Sequence, residues 1–104
     1  GNKIFIIQSI DRKMDFEDIA RAKNLSFDDL LSEIETIVNS GTRLNIQYYL
    51  NEYMDEDKIE DIYLYFKEDA ESDSLEEAIQ ELGSDYTEEE IRLVRIKFLC
   101  EVGN

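Results

Sequence analysis

Apolar residues recur along this chain mostly at helical spacing. Phe27, Leu30, Leu31, Ile34, Ile37 and Val38 fall at i, i+3, i+4, i+7, i+10 and i+11, which is one stripe of an amphipathic helix. Ser26 precedes the stripe, Asp29 follows it by three residues in a capping-box spacing with Asp in place of Glu, and Gly41 ends the helix. A shorter helix is predicted just before it. Asp15 is its cap, Glu17 and Asp18 sit where the helix dipole favours acids, and Phe16, Ile19 and Ala20 face inward. Asn24 suits the left-handed conformation that stops this helix, and Leu25 plugs the turn. Residues 15–41 thus have the spacing of a helix-turn-helix.

The flanking segments repeat the helical pattern. Ile4 to Ile7 would suit a strand, yet Ile6, Ile7, Ile10 and Met14 form a helical stripe. No second strand-like segment is present to pair with, so residues 3–14 are predicted helical. Asn45 is placed as the cap of a helix carrying Ile46, Tyr49, Leu50 and Tyr53, and Asp55 as the cap of one carrying Ile59, Ile62, Tyr63 and Phe66. Residues 68–73 read as an acidic loop. Ser74 with Glu77 and Thr87 with Glu90 are two capping boxes, and Tyr86 and Ile91 have the spacing of a hydrophobic staple. The last helix, Glu88 to Val102, has apolar residues on nearly every side, the mark of a central helix or of one that covers a partner. Cap, acids, apolar pair, stop and second cap occur both at residues 15–26 and at 74–87, as a duplication or as a coincidence of common cap chemistry. The expected fold is all-α: one domain over residues 1–104, a compact bundle of six to seven short helices. It contains a helix-turn-helix pair, or two if the echo is a duplication.

Composition agrees with short helical connections, since the 104 residues include no Pro and only four Gly. No apolar run approaches the ~18 residues of a membrane span, and no signal-peptide pattern is present. The lone Cys100 is expected as a free thiol, which fits a cytoplasmic location. A chain beginning at Gly1 is read as a piece of a longer protein.

Charge changes the functional picture. The net charge is −15, and residues 51–104 hold five bases against eighteen acids, while residues 1–50 hold six against eight. Duplex DNA would repel the second half, so any nucleic-acid contact belongs to the first. The second helix of the pair carries Asp28, Asp29, Glu33 and Glu35 and no base, whereas groove-reading helices present Arg, Lys, Asn or Gln. A structural role is preferred for it. Arg12, Lys13, Arg21, Lys23 and Arg43 are the candidate nucleic-acid patch, able to touch phosphates without reading sequence. Arg92, Arg95 and Lys97 are expected to pair with nearby carboxylates. Tyr48 and Tyr65 fall off the apolar stripes and are the candidate protein interface.

Catalytic signals are lacking: the sequence has no His, no phosphate-binding Gly loop and no nucleophile elbow. Asp69, Glu71 and Asp73 alternate as in a calcium loop, but Ser74, Glu76 and Gln80 stand where that loop needs Gly, an apolar residue and Glu. No catalytic residue, cofactor or metal is therefore assigned to this chain.

The segments IARAKNLSFDDLL, SGTRLNI and TEEEIRLVRIKFL, and the pattern around them, resemble the helix-turn-helix domain at the extreme C-terminus of some bacterial RecQ-type ATP-dependent DNA helicases. The resemblance implies an all-helical accessory module of an enzyme that unwinds DNA with ATP and magnesium in repair and recombination. The motor motifs are not in this sequence. Three roles follow: protein contacts with the motor or a partner, direct DNA binding through the basic patch, or an acidic regulator that competes with DNA for a basic groove through the carboxylates of residues 55–90. No membrane partner is expected.

Overall fold

The computed structural model describes residues 1–102. Among them seven α-helices run in order: α1 (Lys3–Asp11), α2 (Phe16–Ala22), α3 (Phe27–Asn39), α4 (Gln47–Tyr53), α5 (Glu56–Leu64), α6 (Leu75–Leu82) and α7 (Glu88–Val102). The described residues contain no strand, so the all-α expectation holds and the Ile-rich opening segment is helical.

Two helices organise the rest. α7 packs against α3, α4, α5 and α6, and α3 packs in addition against α1 and α2. The reason lies in their apolar surfaces. Leu30, Leu31, Ile34, Ile37 and Val38 of α3 are buried along one stripe. Ile91, Leu93, Val94, Ile96, Leu99 and Cys100 of α7 are buried on several sides at once, as a central helix requires.

Local cap chemistry sets the helix starts. The Asp29 amide donates to the Ser26 hydroxyl (3.0 Å) and the Glu77 amide to the Ser74 hydroxyl (3.2 Å). The α7 box is reciprocal. The Glu90 amide donates to Thr87 Oγ1 (3.1 Å), and the Thr87 amide donates to Glu90 Oε1 (2.9 Å). At α6 the Glu77 carboxylate instead accepts from the Ser72 hydroxyl (2.7 Å), whose oxygen takes the Ser74 amide. Asn24 has φ +55°, as its position at the turn of the helix pair demands.

Several local expectations are corrected. Asp15 and Asp55 occupy the cap positions of α2 and α5, but their carboxylates make no capping bond. Asn45 accepts the Gln47 amide (3.1 Å), yet Ile46 is the residue at the cap, so the helix begins one position later than predicted. α1 ends at Asp11, and Lys13 turns the chain with φ +61°. The acidic loop starts late as well. Residues Tyr65–Asp69 continue α5 as a π-turn, closed by the Ala70 amide on the Tyr65 carbonyl (2.8 Å), so Glu68 and Asp69 are helical. Tyr65 and Phe66 at the start of this turn are both buried.

Two substitutions measure these contributions. Thr87→Ala removes one half of the α7 box and should cost about 1 kcal/mol. Leu93→Ala leaves a cavity between α7 and its neighbours and should cost about 2–5 kcal/mol. Thermal or urea unfolding checks both the order and the size.

Candidate interaction surfaces

The polar side of α3 is the surface that a groove-reading helix would use. Here it faces carboxylates to the solvent and hands the rest to α7. The Arg92 guanidinium donates to Glu35 through Nε (3.1 Å to Oε2) and Nη2 (2.9 Å to Oε1), a two-pronged contact. Its Nη2 also donates to the Ser32 hydroxyl (2.8 Å), and its Nη1 lies 3.7 Å from Asp28. Arg95 adds a second charge 3.9 Å from Glu35, donates to the Asp73 carbonyl (2.5 Å) and pairs with the Asp73 carboxylate (3.6 Å). The Glu35 contact holds the Arg92 guanidinium above its ordinary pKa, against the opposing effect of burial. The α7 bases thus pair with carboxylates as expected, and Lys97 does so with Glu101 (2.6 Å).

The five candidate nucleic-acid residues have separate settings. Arg21 is paired with Asp18 (2.6 Å), and the Lys23 ammonium sits 4.6 Å from the centre of the Phe5 ring. Arg43 lines a concavity with Leu44, Asn45, Cys100 and Glu101. Arg12 and Lys13 are brought close to Tyr48. Arg12 contacts the Met14 sulfur (3.9 Å), while the Tyr48 hydroxyl donates to the Met14 carbonyl (2.5 Å). Lys13 and Tyr48 line one concavity of about 420 Å³ with Ile10, Asp11, Asn45, Gln47 and Asn51. Tyr48 therefore lies beside Lys13 at an edge that also carries Asp11, anchored and half-buried, with its ring edge-on to Phe16 (6.4 Å).

Tyr65 is not an exposed interface residue. It is 7% exposed, packed edge-on against Phe66 (5.2 Å) and three residues after the buried Ile62, at the flank of the α5 stripe.

An aromatic cluster that periodicity hid lies across α2, α3 and α4. Phe16 stacks on Tyr49 at 4.0 Å, and Phe27 stacks on Tyr53 at 6.0 Å with the rings 10° apart. Tyr49 also touches Tyr53 (5.7 Å), and its hydroxyl donates to the Glu17 carboxylate. The helical stripe assigns Tyr53 to the core, but α4 stops there and the ring is 38% exposed. A stripe position in the last turn of a seven-residue helix was the available signal.

Among the described residues no group of three or more His, Cys, Asp or Glu is arranged to hold a metal ion. No helix among them is long and apolar enough to cross a membrane.

Residues 1–50 match the family model described as RecQ-1-like, helix-turn-helix domain. No curated protein matches the chain.

Two measurements test these settings. Arg92→Lys gives up the two-pronged geometry and should cost about 1 kcal/mol in unfolding experiments, with Lys recovering little of the contact. Burial, then the charges of Asp15 and Glu52, push the Tyr48 phenol from 10.0 up to about 12. The fold favours the neutral phenol, so this contribution to stability is whole below pH 10.0 and is lost as pH rises towards about 12. Phenolate absorbance should show one late-ionising tyrosine fewer in Tyr48→Phe, and the alkaline decline in its stability should be shallower.

Proposed function

We propose, from the match of residues 1–50 to the RecQ-1-like helix-turn-helix model, that this chain is an accessory module of a RecQ-type ATP-dependent DNA helicase and works through protein contacts. ATP, magnesium and the unwinding chemistry belong in this reading to the motor. The observation that carries the mode of action is the polar side of α3. It bears four acids and no base, and Ser32 and Glu35 at its centre are occupied by Arg92 from the same chain. A helix entering the major groove needs donors free to meet base edges and phosphates. This one offers carboxylates to a polyanion and would lose ion pairs on insertion. The eighteen acids of residues 51–104 add repulsion from the same domain.

A second reading has one observation in its favour. Lys13 lines one concavity with Asn45, Gln47, Asn51, Tyr48 and Asp11, and Arg12 lies next to it against Met14, so ammonium and amide donors suited to phosphate oxygens share one edge. Such a contact would be weak, independent of sequence and sensitive to salt.

Titration of the 104-residue chain with single-stranded and duplex DNA, at low and moderate salt, separates the two. The protein-contact reading expects no saturable DNA binding at moderate salt and saturable association with a RecQ-type motor. Tight, salt-sensitive DNA binding abolished by Arg12→Glu with Lys13→Glu would overturn it in favour of the basic edge. Motor association that DNA displaces competitively would identify the acidic surface as a competitor for the DNA groove.

A further inference from the structure

Independently of the accessory-module reading, we propose that α1 is a detachable flap, which opens from α3 as a unit by bending at Lys13 while the other helices stay packed. The local chemistry of α1 works against a helix. Four of its nine residues are isoleucines, whose β-branched side chains lose freedom in a helix. Lys3 stands at its start and Asp11 at its end, the reverse of what the helix dipole favours. Asn2 occupies the cap position without a capping bond, and its side-chain amide donates instead to Glu33 (3.0 Å). The neighbouring α2, also packed on α3, has the opposite arrangement, with Glu17 and Asp18 in its first turn and Arg21 in its last.

Packing on α3 therefore holds α1 in place, and that packing has a flaw. Ile6 and Ile10 are buried in the core, and so is Ser9. The Ser9 hydroxyl is, among the described residues, the buried side-chain polar atom with no hydrogen-bond partner. Such a group has given up its bonds to water without replacement, and opening α1 restores them. The seam is also loose at its outer end. Lys3 and Ile37 line a concavity of about 170 Å³ with Glu33, Thr36 and Ser40, and Ile4 is 69% exposed.

The other end is shaped to bend. Lys13 has φ +61°, a left-handed conformation that suits Gly or Asn better than Lys. Just beyond it, the Met14 carbonyl accepts the Tyr48 hydroxyl (2.5 Å), which fixes the far side of the hinge to α4. Opening breaks the Asn2–Glu33 bond, draws Ile6 and Ile10 out of the core and bares the face of α3 that carries Ile37.

The test is native-state hydrogen exchange of the full 104-residue chain. The α1 amides should exchange more than about tenfold faster than the buried amides of α3 and α7, at rates that low urea hardly changes. Ser9→Ala removes the unpaired hydroxyl and should slow α1 exchange about tenfold. Thr87→Ala weakens the α7 cap and should speed the α3 and α7 amides about fivefold. It should leave α1 exchange unchanged, because the flap opens with α7 still folded. Equal exchange in the three helices would overturn the proposal. So would acceleration of α1 by Thr87→Ala, or α1 exchange indifferent to Ser9→Ala.

Discussion

The contact between α3 and α7 holds this molecule together. Its apolar part is the full burial of Leu30, Leu31 and Ile34 on one side and of Ile91, Leu93, Val94 and Ile96 on the other. Its polar part is the grip of Arg92 and Arg95 on Glu35. The two parts have different roles. Apolar burial supplies most of the stabilisation, at roughly 25 cal/mol per Å² removed from water. The guanidinium fork fixes the rotation of α7 against α3, because a two-pronged contact tolerates little turning. Every other helix then packs on a pair whose mutual orientation is set.

Scarcity of cations is the second constraint. With eleven bases for twenty-six acids, most carboxylates have no partner, and where the bases go determines which surfaces are closed. Arg92, Arg95, Lys97 and Lys58 all serve contacts that involve α7. The first-half bases stay near α1, α2 and the link before α4. The surface is thereby divided into a neutralised seam around α7, an edge of mixed charge beside Tyr48, and acidic ground elsewhere.

Much of the fold was legible because its signals are local and agree with one another. The α3 stripe, the α7 surround of apolar residues and the Ser26, Ser74 and Thr87 caps each follow from side chains within a few positions, and each is realised. What was not legible depends on backbone choices that spacing does not encode. The π-turn at Tyr65–Asp69 breaks the 3.6-residue period after Tyr65, and Tyr65, at the flank of the stripe three residues after Ile62, lies inside. The short α4 ends at Tyr53, so a residue inward by count lies at the rim. The bases at Arg12 and Lys13 were legible as residues, but their neighbour Tyr48, reached across 34 positions through Met14, was not.

The matched family segment and the folding unit have different limits. The match ends at Leu50, inside α4 and at a residue fully shielded from water. The α7 part of the hydrophobic wall that shields α3, Ile91 to Ile96, lies beyond it. A polypeptide cut at residue 50 would keep α1 and α2 on α3 but lose α7, exposing the part of the α3 stripe that faces α7 and leaving it prone to associate with other copies. Likeness in sequence thus marks a part of this domain whose core is completed by a helix beyond it.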